Sequence, residues 1–272
     1  MEHFGGRRWR PPFAPRRALR PNGRVKRSAV LNVAVAFMVV AAVFCLPRIP
    51  QDPAYHAFAD GRTVLGVRNF WNVVSNAPFV VVGAMGIAVV WRRGAGRDLA
   101  PYAWLFLGVF LTGFASAAYH LAPDNRTLVW DRLPMTLIFV SLYAGVIADR
   151  VSVKWAVRLL PVLVVIGLAS VIYWGATDDL RPYGVVQFYP FVGIAMLLGL
   201  YQSRYTRGGD ILWIGATYAV AKAFEVGDRW TFQATAGLVS GHTVKHLVAA
   251  GATYLIMKSV RDRRPITDGA VG

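Results

Sequence analysis

Three histidines carry the most informative chemistry in this chain. His242 and His246 are four residues apart, so on a helix they share one face. His120, at the end of a separate apolar run, would complete a set of three imidazoles. Three imidazoles are the ligand set of a catalytic zinc site that keeps one position open. Separate hydrogen-bonded histidines, or a histidine-ligated haem, would use the same residues; three imidazoles at one membrane depth favour zinc. The remaining two of the five histidines, His3 and His56, lie outside the apolar spans. Ser116 precedes His120 by four and shares its face, so its hydroxyl can reach that histidine or whatever it binds. A helix-packing serine is the plainer reading. Asp131 is read as opening the next helix, with Pro134 in its first turn. There it can serve as an N-cap, as a general base that takes a proton from zinc-bound water, or as both.

Other polar residues have weaker claims. Asn72, Ser75 and Asn76 fall on one apolar helix and suit interhelical hydrogen bonding beside the site. Lys222, Glu225 and Asp228 recur at a spacing of three and suit a local ion-pair network. Asp124 and Asn125 are read as turn formers. Asp178, Asp179 and Arg181 are read as a solvated loop.

The helices needed to position these groups are membrane helices. The 272 residues are 56% hydrophobic and only 16% charged, with a mean hydropathy of +0.43. Apolar runs of bilayer length recur along the chain. An all-α polytopic membrane bundle is expected, with spans near 29–46, 71–91, 101–120, 132–149, 155–174, 185–203, 210–226 and 241–258. The stretch 1–28 reads as a basic, disordered cytoplasmic arm that touches anionic lipid. Residues 29–46 read as a retained extra helix, 60–258 as a seven-helix domain, and 259–272 as a cytoplasmic tail. The net charge of +16 does not point to nucleic acid, because Lys and Arg cluster in short loops and at the two ends. No protein partner is evident. One cysteine, Cys45, excludes an internal disulfide. On the side opposite to the termini only Arg48, Arg62, Arg68, Arg126, Arg132, Arg181 and Arg229 occur. That asymmetry places both termini in the cytoplasm. It puts His120, Asp131 and His242 together at the exoplasmic end, as a single site requires. The expected location is a bacterial plasma (inner) membrane.

Four motifs occur in one order: Asn72-Val-Val-Ser75-Asn76, Ser116-x-x-x-His120, Asp131-x-Leu-Pro-Met135 and His242-x-x-x-His246. In that order and helix placement the chain resembles the alkaline ceramidases of the CREST superfamily of membrane hydrolases, most of all their bacterial members. The resemblance spans about residues 60 to 258. It implies a seven-helix core and a zinc held by His120, His242 and His246, with Asp131 and Ser116 beside the reactive water. It departs at the acidic calcium cluster of those enzymes. Only Asp60 remains, and Asn69 stands at the acidic position before Phe-Trp-Asn, which makes calcium doubtful. The expected reaction is hydrolysis of a ceramide-like or other N-acyl lipid amide. Water on zinc attacks the carbonyl, Asp131 takes its proton and returns it to the leaving amine, and zinc with Ser116 steadies the oxyanion. The alternative is a receptor-like or scaffolding membrane protein whose metal only staples helices.

Overall fold

The computed structural model describes residues 23–266, so most of the basic arm and the last residues of the C-terminal tail lie outside the described residues. The described residues form a helical bundle: α1 Gly23–Cys45, a 3-10 turn Pro53–His56, α2 Phe70–Val74, α3 Ala77–Arg92, α4 Ala100–Leu121, α5 Asn125–Arg150, α6 Val153–Thr177, α7 Arg181–Leu200, α8 Asp210–Val226, α9 Asp228–Ala234 and α10 Gly241–Asp262. Helix α1 begins at Gly23, inside the stretch expected to be a disordered arm.

Five spans are long and apolar enough to cross a bilayer: Phe70–Arg92, α4, α5, α6 and α7. Helix α8 is shorter and carries Asp210, Lys222 and Glu225; α10 carries Lys245, Lys258 and two histidines. Helix α10 packs between α3 and α8, and α8 lies at the edge of the bundle against α10, with Leu212, Trp213 and Val220 exposed. The protein is an integral membrane helix bundle. Its lipid-facing surface is apolar, with Val81 and Met85 on α3, Phe114 on α4 and Val165 on α6 all exposed. Exposed tryptophans gather at one end of the bundle, at Trp91, Trp104, Trp155 and Trp213, and at the other at Trp71, Trp130 and Trp230. Such belts mark the two bilayer interfaces.

Local sequence fixes several boundaries. Helix α5 starts at a capping box: the Asp124 carboxylate accepts from the Thr127 N–H at 2.7 Å and the Thr127 hydroxyl returns to the cap. The helix therefore begins seven residues before the expected start. Asp131 is an interior residue of α5 and not its N-cap, because Asp124 takes that role. Pro134 consequently sits inside the helix. Helix α10 is capped by Ser240, whose hydroxyl accepts from the Thr243 N–H at 3.1 Å. The expected loop 227–240 contains the short helix α9.

Between α2 and α3 the helical ladder breaks, and side chains repair it. The Asn76 N–H turns to Val73 O, leaving Asn72 O without its helical donor. Asn76 Nδ2 donates to that carbonyl at 2.7 Å and the Ser75 hydroxyl at 3.2 Å. Pro78 follows in the first turn of α3, where its missing N–H costs nothing. Close packing secures the same region. A Cβ on Gly83 would lie 2.5 Å from the Phe110 backbone nitrogen, so α3 and α4 can approach this closely only with glycine there.

Helix α5 is the central post and packs on α4, α6 and α7. At the end of the bundle where α5 stops, Arg263 is 2% exposed. It pairs with Asp149 at 2.6 Å and Asp98 at 3.1 Å, between the rings of Tyr102 and Tyr205. Tyr102 also donates to Asp149 at 2.8 Å. At the other end, Arg181 pairs with the buried Asp179 at 2.7 Å and donates to Phe44 O and Leu46 O, which pins the end of α1.

Candidate metal centre and reaction chamber

His120 lies in the last turn of α4, and His242 and His246 lie in the first turns of α10. All three are buried. Their ring nitrogens converge: His120 Nε2 is 3.3 Å from His246 Nε2 and 3.4 Å from His242 Nε2. The three donors fall within 4.8 Å of one another. Nitrogens about 2.0–2.1 Å from a tetrahedral zinc are about 3.3–3.4 Å apart. Two of the three separations match that spacing and the third lies within 4.8 Å, so the cluster could hold a metal ion in donor chemistry and in spacing.

The surroundings orient the rings. Ser75 Oγ lies 2.8 Å from His246 Nδ1. With its own proton on Asn72 O, that hydroxyl accepts from His246 Nδ1–H. This tautomer leaves the Nε2 lone pair facing His120, as a metal ligand needs. Asp228 fixes the start of α10 by accepting from the His242 backbone N–H at 2.7 Å. Its other oxygen accepts from Ala59 N–H at 2.8 Å. That contact holds Phe58 over the cluster, with its ring centroid 4.7 Å from His120 and 4.5 Å from His242. Asn69 donates to His120 O at 2.8 Å. Asn72 accepts from Thr243 and donates to Asp60 O, both at 3.1 Å. Asn72, Ser75 and Asp228 thus brace the cluster by hydrogen bonds to α10, and Asn76 acts one step back by holding the Asn72 carbonyl.

Asp60 itself is engaged by Arg62, at 2.6 Å. Burial opposes its ionisation, but the hydrogen bonds from Arg62 prevail and hold its carboxyl below the usual range. A guanidinium already supplies the positive charge at this carboxylate.

The cluster opens into a cavity of about 160 Å³. Ser116, Asp131 and His246 line it, and so do Arg132, Tyr183, Lys222, Glu225 and Lys245. Ser116 and Asp131 interact through their side chains, and Asp131 Oδ1 is buried without a hydrogen-bond partner. Glu225 is shared by Lys222 and Lys245, the latter at 3.2 Å, and accepts from the Tyr55 hydroxyl at 3.4 Å. Lys245 Nζ also lies 3.1 Å from His242 Nε2. A metal there would claim that lone pair and leave Lys245 to Glu225.

Below this polar chamber lies a second cavity of about 140 Å³, lined mainly by apolar side chains including Ile138, Phe139, Leu142, Ile214 and Ile256. The two cavities share Phe79, Thr112, Met135, Tyr218 and Ala249 as walls. Four candidate residues, Ser116, Asp131, Glu225 and His246, thus line one space, and His120 and His242 adjoin it through their ring contacts with His246. Lys245, Arg132 and Phe58 belong to the same constellation but were not singled out from sequence. Lys245 had a signal, as a lysine between two candidate ligands.

A family model described as Ceramidase matches residues 66–261. No curated protein matches the chain.

Proposed function

We propose a function from one premise: the chain belongs to the ceramidase family, and is therefore a hydrolase acting on carbon–nitrogen amide bonds. Its substrate is an N-acyl lipid drawn from the membrane, with the amide in the polar chamber and the acyl chain in the apolar cavity. The adjacency of those two cavities, which share Phe79, Thr112, Met135, Tyr218 and Ala249 as walls while His246 lines the polar one, is the observation that carries this reading. Each CH₂ transferred from water to such walls contributes about 0.8 kcal/mol, whereas a soluble amide gains nothing from them.

The metal is zinc, held by His120, His242 and His246, because three imidazoles at this spacing suit it. When bound, it supplies Lewis acidity toward a carbonyl and an activated water at neutral pH. Asp131 does the proton work. Its Oδ1 is buried and has no hydrogen-bond partner, so it takes a proton as water adds to the carbonyl and passes it to the leaving nitrogen. Ser116, beside Asp131 and one turn from His120, donates to the oxygen on which charge develops. Ser75 keeps His246 in its working tautomer. Phe58 covers the rings and excludes bulk water from them. Both termini face the cytoplasm and the chamber lies toward the exoplasmic side, which the distribution of basic residues supports.

The test uses purified, zinc-loaded protein with one N-acyl lipid at two chain lengths and its water-soluble analogue. Released fatty acid is read by mass spectrometry. Rates should fall steeply as the chain shortens and vanish for the soluble amide. Equal rates on all three would sink the lipid reading.

A further inference from the structure

Arg132 follows Asp131 on α5 and is only 6% exposed. Aromatic rings enclose its guanidinium, with the centroids of Trp174 at 4.2 Å, Tyr183 at 4.8 Å and Tyr55 at 5.6 Å. Nη2 donates to Gln51 Oε1 at 2.7 Å. Nη1 is buried and has no acceptor, and neither has the indole nitrogen of Trp174. Among the described residues no carboxylate forms an ion pair with Arg132. A buried cation without an anion is costly, and native structures rarely leave one so.

Its position says what could supply the anion. Arg132, Tyr183 and Gln187 line the reaction chamber and also a crevice of about 420 Å³ between α1 and α7. Arg132 therefore stands where that crevice meets the chamber. The chamber walls carry three cations, Arg132, Lys222 and Lys245, against two carboxylates, Asp131 and Glu225. Glu225 is already taken by both lysines. An incoming group that brings negative charge would complete the set, and a planar fork with one free arm suits an oxyanion.

We propose that Arg132 receives an anionic headgroup, so that this enzyme prefers N-acyl lipids bearing a phosphate, sulfonate or carboxylate close to the amide. The preference in turnover rests on the hydrolase reading above; the binding of the anion does not. Lipids of the same chain length with a neutral or cationic head leave the guanidinium unpaired and are poorer substrates.

Two arms test this on the full-length protein in detergent. In the binding arm, dodecanoyl lysophosphatidate and monododecanoyl glycerol share a chain, lack an amide and differ in charge. By calorimetry the phosphate lipid should bind at least about tenfold tighter, the worth of a hydrogen-bonded charge pair. Arg132→Gln should bind the two alike. Arg132→Lys, which keeps the charge but not the fork, should fall between them and serves if the glutamine variant does not fold. Inorganic phosphate should not displace the lipid; displacement would assign the site to a free anion and overturn the headgroup. In the turnover arm, N-dodecanoyl glycine should exceed N-dodecanoyl ethanolamine by about tenfold in kcat/KM. Arg132→Gln should bring the ratio of the two substrates close to one, whatever it does to the absolute rates. Equal ratios in wild type and variants overturn the proposal and leave the hydrolase standing. Arg132-dependent binding without turnover of any amide does the reverse.

Discussion

Two buried arginines sit at opposite ends of the same central helix region, and their surroundings differ in one respect. Arg263 and Arg132 are each stacked between aromatic rings. Arg263 also has Asp149 and Asp98, so its charge is neutralised within the chain. Arg132 has no such partner; each arginine keeps one buried guanidinium nitrogen without an acceptor, Nη1 on Arg132 and Nε on Arg263, so the difference lies in the missing carboxylate. The end of the bundle that holds Arg263 is finished in its charges: the pairs tie α4, α5 and the segment after α10 together. The end that holds Arg132 is incomplete by construction, with Asp131 Oδ1, His120 Nδ1 and Arg132 Nη1 all buried and without hydrogen-bond partners. One end spends its polar groups on the fold and the other keeps them for a ligand.

That contrast breaks if changes at the incomplete end unfold the protein, or if changes at the finished end stop the chemistry. The largest effect is expected from His246→Ala, which removes a donor from the cluster. Most bound zinc should be lost, as read by elemental analysis, and activity should disappear with it, while thermal unfolding of the metal-free protein stays close to that of metal-free wild type. Next, Asp131→Asn should lower kcat by about 10²–10⁴-fold, the usual worth of a general acid–base group, and leave zinc in place. Loss of zinc from this variant would make the carboxylate a ligand.

Arg263→Ala should do the opposite. It strands Asp149, which still receives the Tyr102 hydroxyl, so destabilisation of about 3 kcal/mol is expected, the low end for breaking a buried pair. Denaturant unfolding reads the cost, and kcat of the folded fraction should be unchanged. Ser75→Ala sharpens the contrast, since it touches the cluster only through His246. A loss of about 10–100-fold in zinc affinity or activity is expected, with little change in unfolding. The smallest effect concerns Asp179. The hydrogen bond from Arg181 holds its carboxyl down to about 2, whereas an unfolded aspartate titrates near 3.9. The lowered value means that this pair stabilises the fold above pH 4 and that its contribution is lost as pH falls from about 4 through 2. Arg181→Gln should flatten that part of the acid unfolding profile.

The helical bundle and the three histidines were legible in the sequence because both follow simple periodicities. Apolar runs give the spans, and the spacing of His242 and His246 gives one face. The start of α5 was misjudged because Trp130-Asp131-Arg132 reads as a polar interruption of an apolar run. The capping signal lay further back, in Asp124-Asn-Arg-Thr127, and hydropathy is blind to it. That same misjudgement hid Arg132, which counts as a loop charge when the helix starts at 132. Asp179 and Arg181, read as solvated, are a buried clamp. Phe58 and Lys245 are placed by tertiary contacts that no local pattern encodes. Ser75 and Asn76 gave a weak signal as helix-packing groups. The broken ladder before Pro78 is what turns the serine toward His246.

The capping box on α5 also sets a length. Seven residues separate the Asp124 cap from Asp131, about 10 Å along the axis at 1.5 Å per residue. Seven steps of 100° fall 20° short of two full turns, so the carboxylate hangs almost directly below the cap. The first two turns of α5 therefore act as a plumb line that fixes both the depth and the bearing of the reactive group. One residue inserted between Arg126 and Trp130 would leave its depth nearly unchanged and swing its bearing by 100°, away from the histidines. Two whole turns could be added or lost at less cost to direction than that single residue.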